Sequence, residues 1–138
     1  MEQIRVLLAN HRPIVRNGLR SLLERGPGIR VVGEAANGRE ALVLAEYHRP
    51  EVVVLEVDLE LVRGIDVARA ICAREPMTRI LFVSSLSDES YVEEAFRAGA
   101  RGYVLENLVQ TDLLPAISAV AEGTVFVSSL AGCTAPGE

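Results

Sequence analysis

Five short apolar segments recur along the chain at nearly even spacing. They are rich in Val, Ile and Leu and lack a regular alternation with polar residues, which indicates strands buried on both faces. Between them, apolar residues recur three and four positions apart, which is typical of helices with one buried face. The segments start 25, 23, 28 and 22 residues apart, and they are Ile4–Ala9, Ile29–Gly33, Val52–Val57, Ile80–Val83 and Gly102–Leu105.

A strand followed by a helix, repeated five times, predicts an open parallel sheet with helices on both faces. Pro13 suits the first turn of the first helix, because the missing N–H is not needed there. The stretch Thr124–Glu138 holds only a brief apolar run before Ser, Ala, Gly and Pro, so we interpret it as a fraying tail or linker. We therefore assign a domain to residues 1–127 and a flexible tail or linker to residues 128–138.

The ends of these strands bring polar side chains together. In an open parallel sheet, ligands and chemistry lie beyond the carboxyl ends of the strands, where the strand order reverses. This rule predicts a polar mouth without reference to any motif. The residues that it selects are Asn10, His11, Glu56, Asp58, Ser84, Ser85 and Glu106.

The basic residues exclude several classes of function. All 14 are arginine, and the absence of lysine excludes Schiff-base enzymes and P-loop nucleotide binding. Residues 102–138 contain four acidic residues and no arginine, whereas nucleic-acid surfaces need clustered positive charge. No apolar run approaches the roughly 18 residues of a membrane span. We therefore expect a cytoplasmic protein that contacts neither nucleic acid nor a membrane.

Several short motifs occur in a fixed order along the chain, and they are Arg5–Ala9, Pro13–Leu19, Val32–Ala35, Arg49–Leu55, Gly64 and Ala95–Leu105. Together they resemble the receiver domain of bacterial two-component response regulators, specifically the LuxR/NarL-type subgroup, over Ile4 to Val127. The resemblance implies a flavodoxin-like (βα)5 doubly wound parallel sheet of five strands in the order 2-1-3-4-5. It also implies a role in phosphorelay signalling and transcription regulation, not an enzyme.

The functional positions of that family are carried over by the resemblance. In the family, two acidic residues hold Mg²⁺, an aspartate accepts the phosphoryl group, and a hydroxyl and a lysine bind its oxygens. An aromatic residue three places before the lysine acts as a switch. The acid pair falls on Asn10 and His11, the acceptor on Glu56, the hydroxyl on Ser84, the aromatic on Tyr103 and the lysine on Glu106.

Most of these positions depart from the family pattern. Only Ser84 and Tyr103 keep the expected residue type, and Leu59–Leu61 replaces the Met-Pro-Gly loop after the acceptor. Mg²⁺ favours preplaced carboxylates, and phosphoryl transfer relies on cations around the transferred oxygens. We therefore expect a degenerate receiver with weak or absent Mg²⁺ binding, no cofactor, no metal site and no catalytic residues. Such a receiver would not use the standard aspartyl phosphorylation.

Glu56 has two interpretations. Its longer side chain could place a carboxylate where a phosphoryl oxygen would lie, which would mimic the activated state. Alternatively, it drifted from aspartate after phosphorylation became dispensable. His11 and Arg12 are candidate cationic neighbours, and both a pH-sensitive contact and an ordinary loop histidine are open for His11.

Two other residues near the mouth have open roles. Asp58 is either a substitute phosphoacceptor or a loop residue that faces solvent, and the loop position favours the second interpretation. We expect Tyr103 to be a half-buried surface aromatic that could rotate between packed and exposed positions.

The resemblance favours a regulatory module that binds another protein. The family commonly dimerises or meets partners through its fourth helix, fifth strand and fifth helix, so we expect a protein partner or a homodimer there. A histidine kinase is a further possible partner. The alternatives are a receiver that senses a small-molecule effector at the polar mouth, or one that is still phosphorylated on Glu56 or Asp58. A flavodoxin-like enzyme is disfavoured, and the presence of a following DNA-binding domain stays open.

Overall fold

A computed structural model describes residues 3–128, which form one parallel sheet covered by helices. The strand order is β2-β1-β3-β4-β5-β6, so the predicted order 2-1-3-4-5 is confirmed and extended by one strand. Each pair of neighbouring strands is parallel. The strands are β1 (Ile4–Ala9), β2 (Ile29–Ala35), β3 (Val52–Leu55), β4 (Arg79–Ser84), β5 (Gly102–Leu105) and β6 (Phe126–Val127).

Five α-helices connect the strands, and the side chains before some of them explain where they begin. Asn37 accepts a hydrogen bond from the backbone N of Glu40, and Asp88 accepts one from Ser90, as helix-capping residues do. Pro13 opens the first helix as predicted. The helices are α1 (Pro13–Glu24), α2 (Gly38–His48), α3 (Gly64–Arg74), α4 (Glu89–Arg97) and α5 (Val109–Ala121).

The sheet separates two hydrophobic clusters. Helices α2, α3 and α4 pack on one face, and α1 and α5 pack on the other. Alternate residues of a strand pack into opposite clusters. Leu7 packs on the face covered by α2, α3 and α4, while Val6 and Leu8 pack on the face covered by α1 and α5. Burial on both faces is the reason why these strands are apolar throughout.

The C-terminal segment differs from the prediction. Phe126–Val127, interpreted from the sequence as part of a tail, forms β6 beside β5, so β5 is not the edge strand. A strand of two residues has no periodicity of its own, and its pairing with β5 is what orders it. Ser128, which the sequence predicts to lie in the tail, is also buried. The remaining tail residues, 129–138, lie outside the described residues, and the boundary at 127 stays a prediction.

Every helix within residues 3–128 is too short or too polar to pass through a lipid bilayer.

Candidate functional site

The carboxyl ends of four strands meet at one edge of the sheet and carry the candidate residues. Asn10 and His11 follow β1, Glu56 follows β3, Ser84 ends β4 and Glu106 follows β5. The backbone N of Glu56 donates to the carbonyl of Ala9 at 3.2 Å, which fixes the ends of β1 and β3 together. The strand ends that carry these residues therefore lie at one end of the sheet, as predicted. His11 contacts Glu56 directly, whereas Asn10 and Glu106 bond to Arg12 and Ser84 bonds to Leu86.

Glu56 is a buried carboxylate held by the loop after β1. Its side chain is 8% exposed. Oε1 accepts from the backbone N of His11 at 3.1 Å and lies 2.5 Å from Nδ1 of the same residue. Oε2 lies 4.0 Å from Nε of Arg12. Both candidate cationic neighbours of Glu56 thus approach it.

Arg12 also contacts the second carboxylate of the site. One of its terminal nitrogens donates to Oε2 of Glu106 at 2.6 Å, across 94 positions of sequence. One guanidinium therefore lies between two carboxylates that would otherwise repel each other. The formal charges of Arg12, Glu56 and Glu106 sum to −1. The sequence predicts Arg12 as a neighbour of Glu56 only, and its pairing with Glu106 is a finding of the structure.

Asn10 shapes the loop that delivers Arg12. It is 1% exposed, and its side-chain oxygen accepts from the backbone N of Arg12 at 2.9 Å. Its backbone oxygen accepts from the guanidinium of Arg16 at 2.8 Å. Such local side-chain-to-backbone bonds are typical of turns. The oxygen of Asn10 is thus used within the loop itself.

Ser84 and Tyr103 are both joined to Leu86 in the loop after β4. The hydroxyl of Ser84 accepts from the backbone N of Leu86 at 3.0 Å, and the hydroxyl of Tyr103 donates to its carbonyl at 2.6 Å. Tyr103 is completely buried, so the expectation of a half-buried aromatic is wrong. The Leu86 carbonyl satisfies the phenol, which lets the whole ring be buried. Burial raises the pKa of the Tyr103 phenol, which further favours the neutral form that donates to Leu86.

The loop between β3 and α3 turns its polar residue outward. Asp58 is exposed, as expected for a loop residue that faces solvent, whereas the neighbouring Leu59 is buried. Leu61 has a φ of 69°, a conformation that is uncommon for a residue with a side chain. Leu61 therefore holds a left-handed backbone conformation that glycine adopts more readily.

Removing the Arg12 guanidinium tests the electrostatic role of this residue. We expect Arg12→Ala to lower the free energy of unfolding by about 1–2 kcal/mol, because Glu56 is buried while Arg12 is half exposed. Adding Glu106→Gln should restore part of that loss, because the repulsion between the carboxylates disappears. Urea denaturation of the single and double variants measures both effects.

Arg97→Ala is the matched control, because its partner Glu93 is an exposed neighbour on α4. We expect it to cost less than about 0.5 kcal/mol. Equal losses for Arg12→Ala and Arg97→Ala would contradict a special role for Arg12.

Comparison with known proteins identifies the family. Residues 6–118 match the response regulator receiver domain. The chain is 36% identical, over 88% of its length, to the uncharacterized transcriptional regulatory protein YxjL of Bacillus subtilis. It is 32% identical, over 92% of its length, to the nitrate/nitrite response regulator protein NarL of Escherichia coli. It spans 56% and 59% of the lengths of these two relatives.

Solved structures agree with this assignment. The crystal structure of a LuxR-family two-component response regulator from Aurantimonas sp. SI85-9A1 is similar with a TM-score of 0.88 and 36% identity. That similarity covers 92% of this chain and 91% of the other. The chain therefore belongs to the response regulator receiver domain family, in its LuxR/NarL-type branch.

Proposed function

We propose that this chain is a degenerate receiver, a regulatory module that works without aspartyl phosphorylation and acts by binding another protein. The observation that supports the proposal best is the ion pair between Arg12 and Glu106, with Glu56 on the other side of the same guanidinium. The positive charge at the mouth is the guanidinium of Arg12, in the loop after β1. The carboxylates of Glu56 and Glu106 already neutralise it.

The donors at the mouth do not fit Mg²⁺. This ion favours an octahedral set of oxygen ligands supplied by carboxylates and water. The side-chain oxygen of Asn10 is buried and already accepts from Arg12, and His11 offers nitrogen in place of oxygen. One oxygen of Glu56, Oε1, already accepts from His11. We therefore propose that Mg²⁺ binds weakly or not at all, and that the chain has no catalytic residues.

Arg12, the arginine beside Glu56, is not free to bind the oxygens of a transferred phosphoryl group. Catalysis of this reaction depends on positioning and on cations around the phosphoryl group. Glu106 places a negative charge where the family has lysine, and the nearby guanidinium is engaged with it. The described side-chain hydrogen bonds of Glu56 go to His11, and that of Ser84 goes to Leu86. Because Glu56 and Ser84 bond to different partners, drift of Glu56 from aspartate is favoured over mimicry of the activated state.

The partner is a protein or a second copy of this chain, bound at α4, α5 and the sheet edge between them. The outer face of α4 is polar and charged, with exposed Glu89, Glu93 and Arg97. Exposed charges contribute more to selecting a partner than to affinity. This surface suits a selective regulatory contact in transcription-related signalling.

Treatment with a small phosphodonor and Mg²⁺ tests the proposal. We expect the intact mass of the chain to stay unchanged, because residues 3–128 contain no cluster of metal ligands and Arg12 is already paired with Glu106. Intact-mass spectrometry measures the result, and a receiver with the standard acid pair, aspartate and lysine confirms that the donor is active. An adduct of about 80 Da on Glu56 or Asp58 would contradict the proposal and support a receiver that is still phosphorylated.

An effector-sensing receiver is the second candidate. A cavity of about 440 Å³ opens between the loops after β4 and β5, and four of its five lining residues are polar by type. Small-molecule sites are commonly concave and lie at this end of an open sheet. A metabolite panel screened by thermal unfolding would reveal an effector as a selective rise in Tm. The lining residues are Ser85, Ser87, Leu105, Glu106 and Asn107.

A further inference from the structure

The outer edge of β5 is covered by the segment that follows α5. The backbone N of Phe126 donates to the carbonyl of Arg101 at 3.1 Å, and the N of Ser128 donates to the carbonyl of Tyr103 at 2.9 Å. These bonds pair the carbonyl groups of Arg101 and Tyr103, which would be unpaired if β5 were an edge strand. Open edges are templates for pairing with another chain. The segment therefore closes a surface that could otherwise associate.

The Ser128 side chain, one residue beyond the end of β6, adds hydrogen bonds to the backbone pairing. It is 2% exposed, and its hydroxyl accepts from the backbone N of Leu105 at 3.1 Å. The same hydroxyl donates to Oδ2 of Asp112 in the first turn of α5 at 2.7 Å. Thr111 donates to the other oxygen of Asp112 at 3.1 Å. One buried hydroxyl thus joins β5, α5 and the C-terminal segment.

The two strand residues anchor the segment on both faces of the sheet. Phe126 packs against the cluster that contains α1 and α5, and Val127 packs against the cluster that contains α2, α3 and α4. Gly123 has a φ of 89°, which lets the chain turn back from α5 toward β5. The contact is therefore built from both backbone pairing and side-chain packing.

The position of Ser128 links this contact to the mouth. Because β6 runs parallel to β5, the carboxyl end of β6 lies at the same end of the sheet as Glu106, where the strands terminate. Leu105, which donates to Ser128, directly precedes Glu106, which pairs with Arg12. The described C-terminal end of the chain thus lies beside the site.

We propose that Ser128 and Asp112 form a clip that holds β6 on the edge of β5, and that opening the clip exposes this edge to a second copy of the chain. The proposal rests on the proposed function, because this edge lies within the proposed interaction surface. The clip is an autoinhibitory contact: the chain's own segment occupies the backbone groups with which a second copy would pair.

Ser128→Ala in the full chain tests the clip. The substitution leaves the N–H of Leu105 without its acceptor and Oδ2 of Asp112 without its donor, while Thr111 still donates to Oδ1. Loss of a bond to a charged group should raise amide exchange of Phe126, Leu105 and Ser128 (as Ala) roughly tenfold or more, while exchange in β1 and β3 stays unchanged. Hydrogen exchange measures this effect, and sedimentation equilibrium should show stronger self-association.

Ser21→Ala is the matched control, because Ser21 is exposed on α1, outside the proposed interaction surface. It should change neither exchange nor association. Asp112→Asn, which keeps an acceptor but removes the charge, should give an intermediate rise in exchange.

Two outcomes would overturn the proposal, and neither depends on phosphorylation. If the amides of the C-terminal segment exchange at the same rate in Ser128→Ala and in the unmodified chain, the clip does not exist. If their exchange rises while self-association is unchanged, competition with a second copy is wrong. The proposed function fails on a different result, the phosphoryl adduct, so the two failures are distinguishable.

Discussion

Replacing Gly64 with alanine should destabilise the protein by on the order of 3 kcal/mol or more. A Cβ atom at this position would lie 2.0 Å from the carbonyl oxygen of Glu56 and 3.0 Å from Cα of Val57. Both are backbone atoms and cannot move aside as a flexible side chain could. Gly64 also donates its N–H to the carbonyl of Val57 at 3.0 Å, which holds α3 against the end of β3. Urea denaturation measures the loss.

The same substitution should disturb the site, because the end of β3 carries Glu56. Relief of the clash requires Glu56 or the start of α3 to shift, and this would weaken the contact between Glu56 and His11. Gly18→Ala is the matched control: nothing lies within 4 Å of the added Cβ in the exposed face of α1. It should stabilise the protein by about 0.5–1 kcal/mol. Equal stability of Gly64→Ala and the unmodified chain would contradict the close approach of α3 and β3.

Restoring the family residues at four positions should create a phosphorylated receiver. The variant combines Asn10→Asp, His11→Asp, Glu56→Asp and Glu106→Lys. Carboxylates would then be present for Mg²⁺ and an ammonium for the phosphoryl oxygens. We expect a Mg²⁺-dependent adduct of about 80 Da where the unmodified chain shows none. Intact-mass spectrometry after treatment with a small phosphodonor measures the gain.

A triple variant that keeps Glu56 is the control for this experiment. It contains the acid pair and the lysine but lacks the aspartate acceptor, so its mass should stay unchanged. A folded quadruple variant that takes up no phosphoryl group would show that these four positions are not the cause of inactivity. The Leu59–Leu61 segment, which replaces the family's loop beside the acceptor, would then be the next part of the site to restore.

The fold was predictable because its signals are local. Each buried strand is apolar on both faces, and each helix shows its own apolar spacing, so the order of elements follows from short windows of sequence. The parallel arrangement then places Asn10, Glu56 and Ser84 at one edge, since they follow or end neighbouring strands. The candidate site could therefore be located before any contact within it was known.

What the sequence by itself determined is the sheet and the identity of the residues at its mouth. Only the tertiary structure decided how those residues pair. Arg12 and Glu106 are 94 positions apart, and their contact depends on the path of two loops. Tyr103 is buried because Leu86 supplies an acceptor, and β6 exists because β5 and Asp112 hold it. Such contacts gain their free energy from distant partners, and no local pattern of the sequence carries that information.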